Sequence, residues 1–296
     1  MNLKVWLLET RPQFLFLTPI LIFLGTCLAW YEGFFDLVHC LLAFVGLLLL
    51  HISVNVLNDY HDYKSGIDLA TVRTPFSGGS GILPAAQLQP QAVRRFGLIC
   101  FLLAVPIGIY FVLETSWLLL PLLIIGAICV LFYTTHITRL GWVEWAPGLG
   151  MGMLPVLGAW FVQSSSYPLA IIFATIPSGI LVHNLLLLNE FPDVEADKKG
   201  GRRTMPIAFG KATASKIYSA LTIIVYLWII GGVALGLMPI FALIALLTVP
   251  LAVKAIRGAL NYQDETKLIP AMASNVQVVL LTQLLLGIGY LLAGIC

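Results

Sequence analysis

Apolar residues run along this chain in blocks of about twenty, interrupted by short polar breaks, rather than in the one-sided stripes of a soluble helix. A helix needs roughly 20 mostly apolar residues to cross a bilayer. Nine such blocks are legible, at residues 13–31, 36–57, 94–113, 117–134, 142–162, 167–189, 214–235, 238–254 and 272–294. A very short turn joins the third to the fourth, and another joins the seventh to the eighth. The pattern predicts an all-α, polytopic membrane protein with nine transmembrane helices.

Composition agrees with the pattern. Of the 296 residues, 59% are hydrophobic and 10% charged, against about 25% charged in an ordinary soluble domain. The segment before the first span carries Lys4, Glu9 and Arg11, and no small-residue cleavage site follows that span. A retained first helix is therefore expected rather than a signal peptide. The five cysteines are scattered through apolar runs without metal-type spacing, which reads as small buried hydrophobes.

Charge fixes an expected orientation. With the N-terminus inside, the inner segments are residues 1–12, 58–93, 135–141, 190–213 and 255–271. All 16 Lys and Arg residues fall in or beside these segments, and the intervening outer loops hold none. The positive-inside rule then predicts N-in, C-out. The two longest loops, 58–93 and 190–213, share the inner face.

Those loops begin with the most informative residues of the chain. The first apolar run to end in acids gives Asn55, Asn58, Asp59, Asp62 and Asp68; the second gives Asn189, Glu190, Asp193, Glu195 and Asp197. A carboxylate at mid-bilayer costs on the order of 2.5–3.5 kcal/mol on insertion scales. Acids so close to hydrocarbon lie at the interface, face a cavity or are neutralised by a cation. On a helix, Asn55, Asp59 and Asp62 share a face, and Asn189, Asp193 and Asp197 form a second stripe. Pro192 distorts that second turn or begins a new one. Clustered oxygen donors select a hard cation, Mg²⁺ or Mn²⁺, and Mg²⁺ commonly bridges carboxylates to substrate phosphates. Lys64, Arg73, Lys198, Arg202 and Arg203 flank the acids, and Arg suits phosphate oxygens. The stretch Ser77-Gly-Gly-Ser-Gly81 supplies pliant backbone. These features together fit a metal-bridged diphosphate.

Plainer roles stand beside these. Lys198, Lys199, Arg202 and Arg203 also suit topology determinants, and Lys64 also suits a neighbouring acid as partner. Glu195 lies off the second stripe and reads as solvated. His51 and His183, inside helices, read as hydrogen-bond partners. Tyr133 either lines a cavity or belongs to an interfacial belt.

At these residues the chain resembles the UbiA superfamily of intramembrane aromatic prenyltransferases. The resemblance spans essentially the whole length. It is carried by Trp6, Arg11-Pro12, Pro19 and Gly25, by Asn58-Asp59-x-x-Asp62-x-x-x-Gly66-x-Asp68, by Tyr133-Thr134, and by Asp193-x-x-x-Asp197 with Gly201-Arg202-Arg203-Thr204. The first motif is most similar to the branch of 1,4-dihydroxy-2-naphthoate polyprenyltransferases of menaquinone synthesis. That branch commonly has a paired asparagine and an arginine ahead of the second motif's first Asp, where this chain has Asn189-Glu190 and Pro192. Other members use 4-hydroxybenzoate, as in ubiquinone synthesis, or further acceptors.

The resemblance implies one transmembrane prenyltransferase domain over residues 1–296, its nine helices around a central cavity. It implies Mg²⁺ held by Asn58, Asp59, Asp62, Asp193 and Asp197, with the four aspartates catalytic. It implies a polyprenyl diphosphate bound with help from Asn58, Lys64, Arg73, Lys198, Arg202 and Arg203. An aromatic acceptor would sit near Asn55, Tyr133 and Asn189. The expected setting is the inner (plasma) membrane, with the site facing the cytoplasm, the bilayer as partner and no nucleic acid. Two rivals fit less well. A CDP-alcohol phosphotransferase would carry its acids on one continuous segment, which this chain lacks. A cation transporter would place charge near mid-membrane, whereas these acids gather at one face.

Overall fold

The computed structural model describes residues 2–296, and every regular element among them is helical. A short helix α1 (Leu3–Glu9) leads into α2 (Pro12–Tyr31), followed by α3 (Leu37–Ser65), α4 (Pro90–Glu114) and α5 (Trp117–Phe132). Then come α6 (Trp145–Ser164), α7 (Leu169–Asn189), the short α8 (Val194–Lys199), α9 (Lys211–Ala234), α10 (Ile240–Leu260) and α11 (Glu265–Ile295). Eight of these are long and apolar enough to cross a membrane. The fourth expected span, α5, is shorter than the rest. At about 1.5 Å per residue it is roughly 24 Å long, less than the roughly 30 Å of a hydrocarbon core.

Helix ends differ from the apolar blocks for a physical reason. The block ends where side chains become polar, but backbone hydrogen bonding continues. So α3 runs to Ser65 and carries Asn58, Asp59 and Asp62 on its last turns, where a loop was expected from residue 58. Likewise α11 starts at Glu265, capped by the Asp264 carboxylate accepting from the Thr266 N–H at 3.0 Å.

The core lies where α2, α6, α7 and α11 meet. Leu21, Leu24 and Leu28, Trp160 and Phe161, Leu181, and Leu286 with Tyr290 are all buried there. By contrast α3 exposes Leu37, Val38, Leu41 and Val45, and α4 exposes Ile99, Leu102 and Leu103. Such surface suits contact with lipid tails, where helices gain by close packing rather than by hiding from water. One close crossing is set by Gly152: a Cβ there would lie 2.6 Å from the Ser178 carbonyl of α7. The same segment of α6, Leu149–Met153, forms a π-helical turn beside the site described below.

Buried polar side chains tie α7, α9 and α11 together. The Asn184 amide donates to the Tyr218 carbonyl at 3.0 Å and to Thr222 Oγ1 at 2.9 Å. The Asn275 amide donates to the Asn184 carbonyl at 3.1 Å, and the Tyr218 hydroxyl donates to Asn275 Oδ1 at 2.9 Å. Satisfied networks of this kind fix one packing arrangement. A smaller core of Leu187, Leu188, Phe191, Met205 and Met272 supports the chain where α7 leads into the second acidic segment.

Candidate active site

Both acidic segments reach one cavity of about 230 Å³. Its apolar wall includes Phe14, Val54, Val130, Met151, Val182 and Leu186. Asn55, Asn58 and Asp62 enter from α3, and Tyr133 from the end of α5. Asn189 enters from the last turn of α7, and Asp193, Asp197 and Arg202 from the segment after it. The helix breaks after Asn189 and restarts at Val194, so the second stripe is made by a turn between two helices. Gly201, at φ +78°, folds the chain back and the Arg202 N–H bonds the Asp197 carbonyl at 2.9 Å. The Arg202 guanidinium then bridges the two segments, 2.9 Å from Asp197 Oδ1 and paired with Asp62.

Asp59 is placed differently from its neighbours. It is 1% exposed and lies outside the cavity wall. Its carboxylate pairs with Arg11 and accepts the Ser80 N–H at 2.9 Å. Asn58 accepts from Arg11 at 3.2 Å and donates to Thr134 Oγ1 at 3.1 Å. The Asn55 amide donates to the Thr10 carbonyl at 3.0 Å. Lys64, Lys198 and Arg203 are exposed and do not line the cavity. Arg73 is also exposed and donates to the carbonyls of Gly79 (3.2 Å) and Ser80, pinning the glycine-rich loop. Glu195 is exposed. The His51 ring meets Thr18 Oγ1 at 2.8 Å, and His183 Nε2 accepts the Trp142 indole N–H at 3.2 Å.

Several residues at the site receive no site role from the sequence. Arg11 reaches it because α1 folds back at Arg11 itself, whose backbone is left-handed at φ 54°. Glu9 is fully buried and accepts the Ser80 hydroxyl at 2.8 Å. Asp68, in the first motif but without an expected role, lines the cavity. Glu144 and Glu190 are buried together. The sequence hints are the position of Glu9 and Arg11 at the mouth of the first span and, for Arg11, its place in the Arg11-Pro12 pair of the resemblance.

Burial dominates the electrostatics. It pushes the Asp193 carboxyl up to about 7, helped by the nearby Asp197. It pushes Asp68 up to about 6, helped by Asp62, and Glu9 up to about 7. Burial also raises Asp197, against the pull of Arg202. Burial alone would make Arg202 give up its proton more easily, but Asp62 and Asp197 reverse this and hold it charged. Several buried oxygens here have no hydrogen-bond partner: Asp68 Oδ2, Asn189 Oδ1, Asp193 Oδ1 and Glu190 Oε2. Among the described residues no three His, Cys, Asp or Glu side chains are gathered in ligating geometry. Arg11 and Arg202 lie among the carboxylates instead. The arrangement is a polar, charge-dense end on an apolar cavity, suited to an anion with a hydrocarbon body.

Known proteins match along nearly the whole chain. The profile of the UbiA prenyltransferase family matches residues 17–285. The 1,4-dihydroxy-2-naphthoate octaprenyltransferase of Bacillus subtilis (strain 168) is 30% identical over 287 residues, covering 96% of this chain and 91% of that protein. The enzyme of the same name from Escherichia coli (strain K12) is 28% identical, covering 98% and 96%. Among solved structures, digeranylgeranylglyceryl phosphate synthase superposes with a TM-score of 0.66 at 16% identity, covering 99% of this chain and 98% of that one. A UbiA homolog from Archaeoglobus fulgidus bound to GPP and Mg²⁺ gives 0.61 at 14% identity, covering 95% and 99%.

Proposed function

Because the chain belongs to the UbiA prenyltransferase family, we propose that it transfers a polyprenyl group from a polyprenyl diphosphate to 1,4-dihydroxy-2-naphthoate in menaquinone synthesis. The observation that carries this reading is the cavity itself. Buried carboxylates with Arg11 and Arg202 line it, together with apolar side chains from several membrane helices. Relatives that share nearly its full length bear the name of that activity.

The donor set fits a hard divalent cation, for which Mg²⁺ is the choice. Unpartnered buried oxygens on Asp68, Asn189 and Asp193 line the cavity beside the Nε atoms of Arg11 and Arg202, and oxygen donors favour such ions. Asn58, Asp62, Asp68, Asp193 and Asp197 line the cavity and would hold the ion, with Asp59 steadying Arg11 and Ser80 from behind. Bound there, the ion would neutralise the diphosphate as it leaves. Arg202 brings a charge-assisted donor fork to the same end of the cavity, to take phosphate oxygens as the allylic C–O bond breaks. The apolar wall keeps water from the allylic cation and accepts the isoprenoid tail. An electron-rich ring carbon then forms the new C–C bond, and the ring regains aromaticity by losing the proton of that carbon, or its carboxylate as CO2 where that carbon carries it.

The test is turnover in detergent with Mg²⁺, a polyprenyl diphosphate and a panel of hydroxylated aromatic acids. Prenylated dihydroxynaphthoate is expected, with activity lost in EDTA and restored by Mg²⁺ or Mn²⁺. Full activity without metal would reject the reading. Prenylation of 4-hydroxybenzoate alone would move the acceptor.

Protons should compete with the metal. Asp193 near 7 and Asp68 near 6 must be deprotonated to ligate. Their folded-state values are raised, so the competing proton stays bound below these values and is lost above them. Apparent Mn²⁺ affinity, followed by electron paramagnetic resonance, should therefore climb as pH rises to about 7 and level off above it, by up to roughly tenfold per unit for each proton displaced. A flat profile would show that neither acid ligates.

The diphosphate is expected to arrive from the cytoplasm. In a cysteine-free variant, Ser65→Cys and Lys199→Cys should react only with reagents on the cytoplasmic face, and Ser165→Cys only with reagents outside. Position 199 serves better than 200, where a Cβ would lie 2.2 Å from Ile67. Labelling of 65 and 199 from opposite faces would end the shared-site mechanism.

A further inference from the structure

The chain that returns from the second acidic motif ends in a residue that the diphosphate chemistry leaves idle. Thr204 lines the cavity, is 1% exposed, and its hydroxyl Oγ1 has no hydrogen-bond partner. The ordinary structural use of such a residue is absent. Thr204 stands at the N-cap of a one-turn helix, Met205–Ala208, where a threonine usually caps an open backbone N–H. Its side chain makes no capping bond. The Ile207 and Ala208 N–H groups go instead to the Thr204 backbone carbonyl, at 3.0 and 2.8 Å.

The backbone on either side of Thr204 is fixed. The Arg203 N–H donates to the Thr138 carbonyl at 2.8 Å, and the Met205 N–H donates to Glu144 Oε1 at 2.5 Å. Thr204 is thereby held between the chain that follows α5 and the start of α6. The same two stretches give the cavity Tyr133, Thr138, Ala146 and Pro147. None of these four is charged. The paired charges of Asp62, Arg202 and Asp197 come from α3 and the α8 segment instead. An uncharged flank with an aromatic ring and a free hydroxyl suits a flat ring that bears an oxygen better than it suits a diphosphate. A buried polar group without a partner is costly, and a ligand that completes it is selected over one that does not.

Resting on the prenyl-transfer reading, we propose that Thr204 is a specificity-determining residue for the aromatic acceptor, its hydroxyl hydrogen-bonding one oxygen substituent of the ring. A hydroxyl both donates and accepts, so a phenol, phenolate or carboxylate oxygen completes it equally. Anchoring one oxygen limits which ring carbon can meet the allylic carbon.

Thr204→Val is the decisive variant, because it keeps the branched shape and replaces only the hydroxyl by a methyl. Full-length wild type and variant are assayed in detergent with Mg²⁺, a polyprenyl diphosphate and 1,4-dihydroxy-2-naphthoate. Thr204→Val should raise the acceptor KM about tenfold, the scale of one hydrogen bond, and leave KM for the diphosphate within about twofold. Thr204→Ser, which keeps the hydroxyl, should stay close to wild type. Three analogues, each lacking one oxygen group, are then measured as competitors: 1-hydroxy-2-naphthoate, 4-hydroxy-2-naphthoate and 1,4-dihydroxynaphthalene. The penalty of Thr204→Val should vanish in the Ki of one of them and persist in the other two. Thermal unfolding without substrate adds a readout that a structural hydroxyl would move the other way. Thr204→Val should melt at or above the wild-type temperature, since it removes an unpartnered buried polar group. An unchanged acceptor KM, a rise in the diphosphate KM instead, a penalty that persists for all three analogues, or a lower melting temperature would each overturn the proposal. Wild type that prenylates no acceptor would instead reject the prenyl-transfer reading, and this assignment with it.

Discussion

Asp193→Asn will abolish prenyl transfer, while Glu195→Ala, two residues away, will leave it nearly intact. The first acid lines the cavity with an unpartnered oxygen, and the second is exposed to solvent. Asparagine keeps the shape of Asp193 and removes the charge. Loss of one charged group at a site that stabilises a leaving diphosphate costs roughly 10²–10³ in kcat, by analogy with single electrostatic donors elsewhere. Stability should move the other way. Asp193 is pushed up to about 7 because burial disfavours its charge. A raised acid stabilises the fold below its unfolded value and loses that contribution as pH rises through the folded one. Removing the carboxylate should therefore leave the metal-free protein as stable or slightly more so at pH 8. Thermal unfolding in detergent with EDTA reads the stability arm, and product formation with Mg²⁺ reads the activity arm. Equal damage by the two variants would mean that the turn at Pro192 is placed wrongly.

The sequence and the structure agree where a physical constraint is strong and local. Runs long enough for a bilayer locate the helices, because hydrocarbon demands satisfied backbone and apolar side chains together. Acids at the ends of two such runs lead to one cavity, the candidate site, because charge there is costly without a purpose. What side-chain spacing could not give is which acid faces the cavity. Asp59 and Asp62 stand nearly one turn apart on α3, yet Asp62 lines the cavity and Asp59 turns to Arg11 and Ser80. That choice is made by α1 and the glycine-rich loop, which approach from far along the chain. The roles of Arg11 and Glu9 were hidden for the same reason: their partners lie more than forty residues away. The flanking bases divided likewise. Arg202 is drawn inward by Asp62 and Asp197, whereas Lys64, Lys198 and Arg203 stay exposed.

Arg202 is where stability and chemistry should come apart. Its guanidinium pairs with Asp62 on α3 and with Asp197 on α8, and both acids are buried. Arg202→Met keeps the apolar stem but strands two carboxylates. Breaking a buried pair from one side typically costs about 3–5 kcal/mol, because the remaining charge is uncompensated. Arg202→Met should therefore unfold markedly earlier on heating and show no turnover. Adding Asp62→Asn removes one stranded charge, so the double variant should recover a large part of the lost thermal stability. It should recover no activity, since the cavity has then lost both a phosphate-facing base and a metal-facing acid. Arg202→Lys separates the roles further. A lysine restores the charge but not the two-pronged geometry, so it should restore most of the stability and little of the kcat. If the double variant regains turnover together with stability, Arg202 is only a brace between two segments, and the diphosphate is held by the exposed bases instead.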